Sequence, residues 1–177
     1  MPQVVSLFKS ATLLTFFILG FSALQAEDIK RAIQKTIASR SSEYIELAHR
    51  IWELAELGYL EHQSSALLKG KAEAAGFKIE SGVADIPTAF VASYGKGKPV
   101  IGIMAEFDAL PGLSQKATTK RDPRIEGKAG HACGHHLFGT ASLAAALAIK
   151  DQIASGNLKG TIRLYGTPAE EGGSGKV

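Results

Sequence analysis

A single cysteine, Cys133, is present among 177 residues. One thiol cannot close an internal disulfide, so a disulfide-stapled fold is excluded. A continuous apolar run of the ~20 residues needed to cross a bilayer is also missing. The longest uncharged apolar stretch runs from about Ala11 to Leu24. No block of like charge occurs either. Twenty basic side chains face seventeen acidic ones, and the net charge of +3 is scattered, which leaves no electrostatic footprint for nucleic acid. Internal repeats and low-complexity segments are absent, so solenoids and flexible linkers are excluded. What remains is the composition of one globular domain, 45% hydrophobic and 21% charged, long enough to bury a core.

The N-terminus stands apart. Lys9 precedes the apolar run, and Ala26 then gives way to the charged "EDIKR". This order is that of a secretory signal peptide, residues 1–26, cleaved after Ala26. Leu24 is large for its place two residues before the cleavage site, and an uncleaved membrane anchor is the alternative reading. Export to the periplasm or outside the cell, with no stable membrane association after cleavage, is the expectation. An exposed free thiol is a liability in such a compartment. Cys133 is therefore expected either to bind metal or to be buried as a small apolar side chain.

From Asp28 to about Leu57, apolar residues recur at helical spacing (Ile29, Ile33, Ile37, then Ile45, Ala48, Trp52, Ala55), and Gly58 is expected to end the helix. A second helix is expected from about Ser64 to Ala75, stopped by Gly76. The period then shortens. "FKIESGV" and "TAFVASYG" read as strands, and Val100–Ala105 is nearly continuously apolar, as in a strand buried on both faces of a parallel sheet. Residues Ser114–Lys128 read as a polar loop. An alanine-rich helix follows to Gly156, its small residues allowing close packing on a sheet, and then a strand from about Thr161 to Gly166.

Strand, loop, helix, strand is the order of a parallel crossover unit. The C-terminal ends of both strands and the N-terminus of the helix then share one sheet edge, where open α/β sheets place their sites. That edge would gather Asp108, the "GHACGHH" of Gly130–His136, and the adjacent Glu170 and Glu171. His131, Cys133 and His135 alternate, so in an extended segment all three would point the same way. Imidazole and thiolate suit zinc and similar ions. Two neighbouring glutamates cannot both face one ion from a regular strand, which favours one as ligand and the other as general base. Asp108 would be a ligand or a carboxylate that orients a histidine.

A structural zinc site would need a second Cys/His pair, which is absent. A cysteine nucleophile would leave the glutamate pair unexplained. "GGSGKV" lacks the P-loop glycine, having Glu170 in its place, and has Val177 where Ser or Thr is required. The bland alternatives are a solvated loop for the glutamates and an ordinary helix-entry residue for His136.

"GHACGHHLFGTASLAAALAIK" and "YGTPAEEGGSGKV" resemble the amidohydrolase branch of the aminoacylase/carboxypeptidase metallopeptidase superfamily. The likeness extends to "IPTAFVASYGKGKPVIGIMAEFDALPGLSQ" and "IWELAE", and so to essentially all of residues 27–177. It implies an α/β three-layer sandwich with a largely parallel central sheet, a zinc-exopeptidase-like catalytic domain of which residues 27–177 form the N-terminal part. It also implies a hydrolase with two divalent ions, zinc or manganese, cleaving amides of N-acyl or aminobenzoyl amino acids or small dipeptides that carry a free carboxylate. Cys133, His135 and Glu171 match metal ligands, and Glu170 matches the general base that takes a water proton and passes it to the leaving amine. Asp108 and His131 match supporting residues. His136 stands where the family usually has Asp or Asn, which would cap the helix better.

Relatives continue well past "GGSGKV", through an inserted dimerisation domain and the remaining ligands. The expectation is therefore a fragment that is inactive alone, with a homodimeric full-length form. The alternative from another class is a truncated, non-catalytic binding module or partner subunit.

Overall fold

The computed structural model describes residues 26–177, so the signal-peptide expectation lies outside the described residues except at Ala26. Residues 26–39 are helical (α1), and α2 follows at Ser41–Leu54. The single helix expected from Asp28 is thus broken at Arg40 (φ −113°, ψ 15°), in the serine-flanked stretch "SRSS". The apolar stripe continues across the break, which is why periodicity alone did not reveal it. Ala55, in the left-handed region, closes α2 three residues before Gly58.

Helix α3 spans His62–Ala74, and Gly76 with φ 91° ends its C-terminal turn, the conformation for which glycine was expected there. Strands β1 (Lys78–Ser81), β2 (Phe90–Lys96) and β3 (Val100–Ala105) follow. Helix α4 (His135–Ala154), β4 (Gly160–Gly166) and a four-residue α5 (Glu170–Gly173) complete the order.

The class is α/β, as expected, and the sheet is mixed. Its order is β1-β2-β4-β3; β3 pairs with β4 in parallel, while β1–β2 and β2–β4 are antiparallel. The largely parallel sheet of the expectation is therefore confined to the β3–β4 pair that carries the site.

One face of the sheet holds the core. Ala92, Ile162 and Leu164 alternate inward and meet Ile51 of α2, Leu68 of α3, and Leu143 and Leu147 of α4, all at most 1% exposed. Each of the isoleucine and leucine side chains contributes roughly 1.5–3 kcal/mol on burial. The opposite face carries Arg163 and Met104, both exposed, with no helix over it among the described residues. Strand β3 lies at the sheet edge, with Val100 48%, Ile101 53% and Met104 49% exposed, so the expectation of burial on both faces is overturned. An apolar run signals what a strand prefers against it, and here nothing among the described residues lies beyond β3.

The alanine-rich character of α4 has the expected use. A Cβ on Gly139 would fall 2.6 Å from the Glu106 carbonyl oxygen, so the helix rests directly on the backbone at the end of β3.

Candidate metal centre

The parallel β3–β4 pair sets the site. At its C-terminal end, the Thr167 amide donates to the Ala105 carbonyl (2.9 Å), which keeps the two chains in register as they leave the sheet. Glu106 and Asp108 follow β3, Glu170 and Glu171 follow β4, and His135 opens α4 between them. These five side chains therefore gather at one edge of the sheet, around His135.

His135 is at the centre and 5% exposed. Its Nδ1 donates to Asp108 Oδ1 (2.8 Å), and the other oxygen of that carboxylate accepts the Glu171 amide (2.9 Å). Asp108 itself is 1% exposed, so both of its oxygens are spent on orienting the two residues beside it. With Nδ1 engaged, Nε2 is the ring nitrogen left for chemistry. It lies 3.2 Å from Glu106 Oε2 and 3.9 Å from Glu170 Oε2.

Two triplets of donor atoms gather here, each within 4.8 Å: Cys133, His135 and Glu171, and Glu106, His135 and Glu170. His135 belongs to both. The adjacent glutamates are divided between them, Glu171 in the first and Glu170 in the second, and both sit at the start of α5 rather than on a strand. A buried Glu171 oxygen, Oε1, has no hydrogen-bond partner among the described residues. An orphaned carboxylate oxygen beside a thiol and an imidazole is the donor set a divalent cation takes, so the residues present fit such an ion.

Cys133 is exposed, which rules out the buried-hydrophobe alternative. The Glu171 carboxylate beside it, helped by desolvation and by Glu170 and Glu106, pushes its thiol above the ordinary range. A bound cation would reverse that preference.

The segment does not present all three alternating residues to one side. Residues 131–134 are bent rather than extended, and Gly134 has φ 97° at the N-cap of α4. His131 turns away, and its Nε2 donates to the Ile51 carbonyl (3.1 Å). Burial, then the neighbouring His136, lowers its pKa to about 4, so it is a neutral packing group. The rings of His131 and His136 lie 5.0 Å apart. His136 is the second residue of α4, and the cap position it was compared with belongs to Gly134.

Three residues had escaped the sequence reading. Glu106, 8% exposed, was legible as a second acid leaving β3. Lys176, in the stretch set aside as a false phosphate loop, donates to Glu106 Oε1 (2.7 Å) and Glu170 Oε1 (3.1 Å), which raises its own pKa. The third is Glu61, buried behind the Glu170 turn, for which the sequence carried no signal.

A mixed α/β sheet with a thiol, an imidazole and four carboxylates at one strand edge carries a donor set that fits a divalent cation. Residues 102–177 match the profile of peptidase family M20/M25/M40. Over 152 residues it is 44% identical to a subunit of the p-aminobenzoyl-glutamate hydrolase of Escherichia coli (strain K12), covering 85% of this chain and 32% of that protein. Over 169 residues it is 30% identical to Xaa-Arg dipeptidase of Mus musculus, covering 88% and 35%. Among solved structures it is similar to the Bacillus subtilis YXEP protein, described as a dinuclear metal binding peptidase of the M20 family (TM-score 0.64, 28% identity, 76% of this chain and 36% of that one). The fold alone is shared with the aminobenzoyl-glutamate utilization protein of Klebsiella pneumoniae (TM-score 0.55, 15% identity, 79% and 40%). The chain spans about a third of the length of the curated relatives it matches.

Proposed function

We propose that the chain carries the first part of a metal-dependent amidohydrolase centre acting on N-acyl or aminobenzoyl amino acids or small dipeptides. The observation that carries this reading is the Cys133–His135–Glu171 triplet, with an unpartnered Glu171 oxygen inside it. Cys133, His135 and Glu171 would hold a divalent ion, zinc on softness of donors and manganese on the carboxylate share. The relatives' names support two such ions and an amide substrate. The ions would supply Lewis acidity at the scissile carbonyl.

The chain's own residues supply the rest. Glu170 lies outside the Cys133 triplet, in the one with Glu106 and His135, and its Oε1 accepts Lys176; its other oxygen, Oε2, would take a proton from water and return it to the leaving amine. Asp108 fixes the His135 ring and the Glu171 backbone together, so ligand and base keep their relative positions. We extend the reading to export of the mature chain and to a homodimeric whole protein.

Zinc and manganese titrations of the chelator-treated chain, followed calorimetrically, test the centre. Saturable binding that is lost in Cys133→Ala and Glu171→Gln is expected; a flat titration in the unsubstituted chain would overturn the reading. Hydrolysis of p-aminobenzoyl-glutamate by the full-length protein, with and without chelator, then tests the substrate class.

A further inference from the structure

Behind the Glu170–Glu171 turn lies a buried acid that no motif accounts for. Glu61 is 0% exposed and occupies the position before α3, yet its side chain makes no cap to its own helix. A carboxylate taken out of water needs partners. Glu61 finds them elsewhere. Its Oε1 accepts the Ala169 amide at 2.8 Å, 108 residues away, and its Oε2 accepts the Thr88 hydroxyl at 3.1 Å.

Ala169 is the residue immediately before the glutamate pair. It is a non-glycine residue in the left-handed region (φ 55°, ψ 41°), 1% exposed, a conformation that persists only when its surroundings impose it. Those surroundings are residues 58–61. Gly58 presses against it, since a Cβ there would lie 3.0 Å from the Ala169 Cα. The Tyr59 hydroxyl donates to the Gly173 carbonyl at 2.8 Å, at the far end of the turn. From the opposite side Asp108 holds the Glu171 amide. The backbone carrying Glu170 and Glu171 is thus pinned at three points, Ala169 N, Glu171 N and Gly173 O, and two of the three belong to the 58–61 segment.

We propose that Glu61 is a positioning residue: by accepting the Ala169 amide it imposes the left-handed turn that separates Glu171, facing Cys133 and His135, from Glu170. Its functional meaning rests on the metal reading above, but its geometry does not. Glutamine at this position keeps one acceptor for Ala169 and turns its amide to the Thr88 oxygen, which can accept. Leucine, similar in volume, leaves the Ala169 amide buried without a partner.

The test is hydrogen exchange by NMR on the 177-residue chain, paired with zinc titration. Glu61→Leu is expected to speed exchange at the Ala169 and Glu171 amides well beyond any change at the core amide of Leu164. It should also weaken zinc by about tenfold, the lower end of what loss of an outer support costs a metal site. Glu61→Gln should restore both, and Glu61→Asp, which keeps the charge but shortens the reach, should show the same loss in milder form should the leucine variant not fold. Exchange at Ala169 that merely tracks Leu164 in the substituted chains would overturn the proposal, because Glu61 would then be ordinary packing. A wild-type chain that binds no zinc would sink the metal reading while leaving the exchange data to decide the positioning.

Discussion

At the residue scale, the site depends on carboxylates whose work is to hold other groups. Asp108 spends one oxygen on His135 and the other on Glu171. Asp108→Asn must place an amide where one of two donors now points, which leaves a buried donor facing a donor. The expected outcome is a loss of about 1–3 kcal/mol in stability and a 10–100-fold weaker divalent ion. Chemical denaturation read beside zinc titration checks both. Unchanged zinc affinity would show that the His135 ring is held by its packing alone.

Glu61 gives the pH prediction. Burial, only partly offset by its backbone hydrogen bonds and Thr88, raises its pKa above the ordinary carboxylate range. The native state then holds the proton more tightly than the unfolded chain, so the unfolded chain carries fewer protons between the two values. Stability attributable to this group is full below the unfolded value of about 4.3 and is lost as pH rises through the folded one. Glutamine does not titrate. The stability of Glu61→Gln relative to wild type should therefore improve as pH rises through that window, and a flat difference across it would contradict the assignment.

At the element scale, the deciding contact is α4 on the end of β3. Gly139 permits it, since added carbon there meets the Glu106 carbonyl at 2.6 Å and Leu68 at 3.4 Å. Gly139→Ala brings two opposed effects. Helix propensity favours alanine by about 1 kcal/mol, whereas forcing volume against a packed backbone costs typically 1–3 kcal/mol. The backbone carbonyl cannot rotate aside, so a net loss of roughly 1 kcal/mol is expected. The helix start, carrying His135, should shift with it and weaken metal binding. A thermal melt that rises instead would show that the strand end yields freely.

What was legible in the sequence follows the same scale. Element order placed His135, Asp108 and the glutamate pair on one edge because a parallel crossover leaves no other arrangement. Glu61 was not legible, since its partner is 108 residues away and its own neighbourhood reads as an ordinary helix start. The orientation of His131 was missed because alternation predicts facing only in extended backbone, and Gly134 bends the segment.

At the scale of the whole molecule, the described chain is a sheet with one finished face. Helices cover the side of Ile162 and Leu164, while the other side shows Met104 and Arg163 to solvent. The free edge of β3 adds unpaired backbone groups next to Val100 and Ile101, both about half exposed. Soluble proteins blunt such edges with charge, proline or a bulge. Here Pro99 guards only the entry to the strand, and no charged side chain stands between Val100 and Ala105. Edge pairing between copies would satisfy the free amides and cover the apolar side chains at once, whereas a monomer leaves both in water. The 177-residue chain should therefore associate as its concentration rises toward roughly 100 μM, the range in which exposed strand edges aggregate. Met104→Lys puts one charge on the bare face without touching the core. Sedimentation velocity should show the parent chain growing heavier with concentration and the lysine variant staying monomeric. A parent chain that stays monomeric over that range would mean that the twist of a four-stranded sheet is itself enough to deter pairing.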